Sequence, residues 1–109
     1  MKVAVPSEGS NICTHFGHCE SFTIAEVEDG KVLNKKVLDA PPHEPGLLPR
    51  LLAGEGVNVV IAGGMGSRAQ DLFAQQNIKV ISGASGPIDD ALVAFIKGIL
   101  KTGPNVCDH

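Results

Sequence analysis

All three cysteines and three of the four histidines of this chain fall in two short segments. Residues 13–19 read CTHFGHC and hold Cys13, His15, His18 and Cys19. The last five residues read NVCDH and hold Cys107 and His109. Thiolate and imidazole suit zinc, copper, iron and iron–sulfur clusters. An irregular segment lets several such side chains converge, and Gly17 lets the backbone bend between His15 and His18. Taken singly, each residue has an ordinary reading: a small buried apolar side chain for each cysteine, a surface loop position for each histidine, a frayed terminus for the tail. The set as a whole points to metal. Its spacing matches neither a standard zinc finger nor a ferredoxin. It fits an incompletely closed site for a preformed, exchangeable metal–sulfur cluster, with a single transition metal such as zinc as second choice.

A second group of residues could receive an anion. Residues 63–69 (GGMGSRA) follow an apolar run and open a helical one. Gly64, Gly66 and Ser67 could present backbone amides at a helix start, with Arg68 nearby. The spacing Gly64-x-Gly66-x-x-Ala69 formally resembles a dinucleotide fingerprint, but the next strand, IKVIS, does not end in the acidic residue that would hold a ribose. No Lys-Ser/Thr pair closes it as a phosphate-binding loop. Plain turn chemistry accounts for each glycine turn alone. Together with the thiolates, the amides would suit an anionic cluster.

These residues need elements to position them. Residues 2–5 read as a short first strand, and 6–20 as a long loop. SFTIAEVE (21–28) and KVLNKKVL (31–38) flank Asp29-Gly30, the strongest short hairpin signal. A Pro-rich connector (40–45) follows and contains His43. Leu47, Leu48, Leu51 and Leu52 form one helical stripe, with Pro49 tolerated only in the first turn. VNVVIA (57–62) reads as a central strand buried on both faces. Residues 67–76 read as a helix, 78–82 as another buried strand, and 87–100 as a last helix. Ser85 is the expected cap of that helix and Pro87 its first residue. Leu92, Phe95, Ile96, Ile99 and Leu100 are its expected buried stripe. Strands alternating with helices predict an α/β fold, a five-stranded mixed sheet with the first strand central and the hairpin extending one side. The tail leaves from the opposite edge to the first loop. Its nine residues (101–109) can span about 30 Å, enough to fold back, or a homodimer could supply its ligands in trans.

Composition bounds the function. With 109 residues and 43% hydrophobic content, the chain reads as one globular domain over 1–109. Net charge is −3 and no basic run is present, which argues against nucleic acid. No apolar stretch approaches the roughly 18 residues of a membrane span, and the first apolar run is too short for a signal peptide. The expected location is the cytoplasm, where thiols serve as ligands more often than as disulfides.

The opening KVAVPSEG, the HFGHC of the first loop with Phe22 soon after, VNVVIAGGMGSRA and the KVISGASG turn together resemble the dinitrogenase iron–molybdenum cofactor biosynthesis domain family, over nearly the whole chain. The resemblance implies a three-layer α/β/α fold with a ribonuclease-H-like motif. It also implies binding or carriage of iron–molybdenum or related metal–sulfur clusters during cofactor assembly, in exchange with cluster-donor and cluster-acceptor proteins. The family's loop histidine matches His15 and its glycine matches Gly17. Where this chain has His18, the family commonly has arginine or another residue. Nuclease or ATPase activity does not follow from the fold, because the first strand reads Val3-Ala4-Val5 and offers no carboxylate for magnesium.

The expected function is therefore non-enzymatic cluster carriage. One alternative is a regulatory or interaction module that binds a small anion or a protein partner, with incidental thiols. Another is an enzyme built on a Cys19–His18 pair, for which no orienting Asn or Asp stands out.

Overall fold

The structure is a computed structural model and describes residues 1–14, 19–40 and 47–100. In chain order the elements are β1 (Lys2–Glu8), β2 (Asn11–Ile12), β3 (Ser21–Glu28), β4 (Lys31–Asp39), α1 (Leu47–Gly54), β5 (Val59–Ile61), α2 (Ser67–Gln75), β6 (Lys79–Ile81) and α3 (Ile88–Ile96). The sheet runs β4-β3-β1-β5-β6, with β2 paired to the end of β1. β1, β5 and β6 are parallel neighbours, while β3 and β4 continue the sheet antiparallel. The mixed α/β sheet, its central first strand and its one-sided hairpin are as expected. Among the described residues the strand count is six rather than five.

The sixth strand arises where the sequence suggests only loop. Pro6 lacks an amide donor, and the Ser/Gly/Asn run after it reads as irregular. Yet β1 continues through Pro6, opposite Phe22, to Glu8. Gly9, at φ +63°, then turns the chain so that Ser7 and Glu8 pair with Ile12 and Asn11. Pro6 still has a carbonyl, which accepts from the Cys13 amide at 2.9 Å.

Side chains of β1 alternate between two apolar cores. Val3 and Val5 join Ala25, Val59, Ile61, Ile88, Ala91 and Leu92 on the α3 side. Ala4 joins Phe22, Ile24, Leu52, Val60, Met65 and Phe73 on the side of α1 and α2. The Asp29-Gly30 turn has φ +53° and +75°, as its hairpin requires.

Several local expectations are corrected. Leu52 alone of the four-leucine stripe is fully buried, and Leu51 is 38% exposed. The sixth strand in chain order is a half-exposed edge, because among the described residues no strand flanks β6 on its outer side. Pro87, not Ser85, occupies the N-cap of α3, and no side chain caps it. The Ile88 amide instead donates to the Ser10 carbonyl at 2.9 Å. That helix ends at Ile96, leaving Ile99 63% exposed.

Candidate metal centre

Three loops meet at the edge where the parallel strands end. β1 leads through the β2 hairpin to Cys13 and Thr14. β5 leads to Gly63 and Gly64, and β6 leads to 82–87. Backbone hydrogen bonds lace them together. Gly64 donates its amide to the Thr14 carbonyl at 2.7 Å, Gly83 to Gly63 at 2.6 Å, and Ile12 to Gly86 at 2.9 Å. Gly63 is the tightest point. A Cβ there would lie 2.7 Å from the Cys13 carbonyl oxygen and 3.0 Å from that of Thr14. Only a residue without a side chain lets the two loops approach this closely.

This lacing fixes Cys13, which is 3% exposed. Cys19 lies just before β3 and packs, partly buried, against the core on the α1 and α2 side. Two antiparallel strands thus bring the ends of the CTHFGHC segment back together. The Cys13 side chain lies close enough to the Cys19 thiol to influence its proton affinity. Burial pushes Cys19 up to about 12 from an ordinary 9.0, and the Cys13 sulfur beside it adds to the rise. A thiol that holds its proton this firmly must release it to enter a metal bond.

Of the six residues expected as metal ligands, the structure therefore brings Cys13 and Cys19 together. His15, His18, Cys107 and His109 lie outside the described residues, as do Gly17 and His43. Among the described residues no group of three or more Cys, His, Asp or Glu is arranged around one point.

The glycine turn also has a structural part. The Gly64 amide donates to the Thr14 carbonyl and so joins the two loops. Gly66 is the N-cap of α2, and its carbonyl accepts from the Gln70 amide at 3.1 Å. Ser67 and Arg68 are exposed in the first turn of α2. The residues missed from sequence are Gly63 and Thr14. The signal for the first was available: two consecutive glycines directly after a buried strand mark a close backbone approach.

A shallow depression at the opposite end of β1 is lined by Lys2, Ile24, Glu26, Asn34 and Lys36. Lys36 is paired with the Glu55 carboxylate, which it holds below its ordinary range, and Lys2 Nζ donates to the Glu55 carbonyl at 2.9 Å. Both cations already serve the end of α1.

Residues 1–98 match the model of the dinitrogenase iron–molybdenum cofactor family. The chain belongs to that family. It is 33% identical over 106 residues to the uncharacterised protein MJ0580 of Methanocaldococcus jannaschii, covering 93% of this chain and 90% of that one. The crystal structure of PH0822 superimposes with a TM-score of 0.89 at 36% identity, over 94% of each chain. The apo form of the orange protein of Desulfovibrio gigas shares the fold, with a TM-score of 0.78 at 21% identity over 95% of this chain and 93% of that one. Family membership gives the chain a cofactor-related role.

Proposed function

We propose that the chain binds and carries a metal–sulfur cluster of iron–molybdenum or related type, passing it between donor and acceptor proteins without transforming a substrate. The observation that carries this reading is the placing of Cys13 and Cys19 as neighbours at the edge where β1, β5 and β6 end. Ligands of open α/β sheets bind at that edge.

In this reading Cys13 is the fixed ligand, its backbone tied to Pro6 and pressed against Gly63. Cys19 is the accessible ligand through which cargo enters and leaves. His15 and His18 belong to the segment that joins the two cysteines and would complete the donor set, with Cys107 and His109 supplied by the tail or by a second copy. A cargo site differs from a structural zinc site in needing an open side, and the partial exposure of Cys19 provides one.

The test is anoxic isolation followed by elemental analysis and absorption spectroscopy. Iron, or iron with molybdenum and sulfide, should accompany the protein and give charge-transfer bands. Those bands should be lost in the Cys13→Ser and Cys19→Ser variants, with folding checked by circular dichroism. Zinc alone would shift the reading to a single-metal site. A spectrum indifferent to both substitutions would refute thiolate ligation.

A further inference from the structure

We propose that β4 is a self-pairing edge: it joins β4 of a second copy of this chain antiparallel, about a two-fold axis at Val37. The pairing goes beyond the function proposed above and does not depend on it.

Among the described residues no strand flanks β4 on its outer side. The strand is nine residues long and largely exposed, with Val37 64% open to solvent. A long exposed edge is a template for another strand unless something blunts it.

The hydrogen-bond register shows which groups of that edge point outward. The Ala40 amide donates to the Glu20 carbonyl at 3.0 Å. The same register sets Phe22 opposite Leu38 and Thr23 opposite Val37. Hydrogen-bonded pairs alternate along an antiparallel ladder. Leu38 and Lys36 therefore bond to β3, while Lys35, Val37 and Asp39 turn their amides and carbonyls outward. The other side of β3 gives the same answer. The Val27 amide donates to the Met1 carbonyl at 2.7 Å, so the odd-numbered residues of β3 bond to β1 and the even-numbered ones to β4.

The segment that can pair is bounded. Leu33 is skipped in the register with β3 and forms a bulge, and Pro41 has no amide to donate. Between them lies NKKVLDA (34–40), whose charges are self-complementary. With Val37 on the axis, Lys35 of each copy lies opposite Asp39 of the other. Lys36 then lies opposite Leu38, and Asn34 opposite Ala40. The outward groups of the two copies meet in about six main-chain hydrogen bonds. Lys35, Val37 and Asp39 share the face that carries α3, where Lys35 pairs with Asp89 at 2.6 Å. The two Val37 side chains therefore cover each other between two Lys–Asp pairs.

Neighbouring registers lack this match. An axis at Lys35 or Lys36 sets two lysines opposite each other, and one at Asp39 sets two carboxylates opposite. Like charges directly opposite are destabilising. An axis at Leu38 sets Asp39 against Val37 and shortens the overlap. The charges thus select one register. So short a pairing buries less than the roughly 1,200 Å² at which stable interfaces begin, so the dimer is weak and grows with concentration.

The experiment is sedimentation velocity on the full chain from about 20 μM to about 1 mM, with reductant and chelator present so that neither disulfides nor metal join the copies. A monomer–dimer equilibrium should appear, and a monomer throughout would overturn the proposal. Val37→Pro removes an amide that serves only the interface and should weaken the dimer at least about tenfold. Asp39→Lys should do the same by setting lysine against Lys35. The exchange Lys35→Asp with Asp39→Lys should restore the dimer, which a merely misfolded single variant could not explain. A dimer indifferent to these changes would place the interface elsewhere and overturn the register. Val37→Cys gives a direct check. Paired residues on the axis have Cα atoms about 5.5 Å apart, within disulfide range. Mild oxidation should then link the tryptic peptide 37–50, which holds no native cysteine, to its own copy. Leu33→Cys should not cross-link to itself, and equal cross-linking at both positions would overturn the proposal.

Discussion

At the scale of single residues, the site depends on one contact that no side chain can occupy. Gly63 sits where a Cβ would come within 2.7 Å of backbone, and backbone cannot swing aside as a flexible side chain would. Gly63→Ala should cost about 1–3 kcal/mol by the usual toll of overpacking, read as a lowered midpoint in urea. It should also disturb Cys13 before the rest of the sheet, seen as faster reaction of a thiol that is otherwise buried. A fully stable variant with slow Cys13 labelling would mean that the loops are not pressed together there. Cys19 supplies a second prediction. Its pKa in the folded chain, about 12, exceeds the ordinary 9.0. The folded state therefore holds a proton that the unfolded chain gives up above pH 9. Stability from this group is fully present below pH 9 and is lost as pH rises toward 12. Urea midpoints should fall more steeply between pH 8 and pH 10.5 for the parent chain than for Cys19→Ser. Parallel falls would assign the loss to other groups.

At the scale of elements, burial and sequence periodicity part company in α1. The four leucines share a stripe in sequence, but an eight-residue helix set against a sheet buries only what faces it. Leu52 is fully buried and Leu51 is 38% exposed. Leu52→Ala should cost about 2–5 kcal/mol through the cavity it leaves, and Leu51→Ala within about 0.5 kcal/mol of nothing. Equal losses in chemical denaturation would show that the helix buries both. The same lesson explains what the sequence revealed. Asp29-Gly30 announced its hairpin because the turn requires positive φ at both central residues. The apolar 57–62 run announced a covered strand because both of its faces are apolar. The β2 hairpin stayed hidden because Pro6 and the polar run after it lack the alternation by which a strand is recognised, and its pairing depends on carbonyl groups that every residue carries. The α3 cap was misplaced for a related reason. The amide of Ile88 is satisfied by a Ser10 carbonyl 78 positions earlier in the chain, and no local pattern encodes that partner. For the site, residue type named Cys13 and Cys19, but only the return of β3 alongside β1 brings their thiols together.

At the scale of the whole molecule, the two cysteines report on the entire fold, because each hangs from a different part of one sheet. Cys13 follows the strand pair β1–β2, and Cys19 leads into β3. Unfolding releases the two from this frame, so a metal that binds the folded arrangement more tightly stabilises it by mass action. At free metal a hundred times its Kd, the gain is about 2.7 kcal/mol. For a domain of this size each kcal/mol raises Tm by roughly 4–8 °C, so reduced protein with saturating zinc should melt about 10–20 °C higher than metal-free protein. The size of the shift depends on pH in a defined direction. Cys19 is protonated in the metal-free fold, and binding must displace that proton. The apparent affinity should rise about tenfold per pH unit for each proton displaced, and the thermal shift at fixed zinc should grow from pH 6.5 to pH 8. Replacing Cys13 and Cys19 together with serine should abolish both the shift and its pH dependence. A zinc-induced shift that survives the double substitution would place the metal elsewhere on the chain. A shift that shrinks as pH rises would mean that the ligand atoms are not thiols.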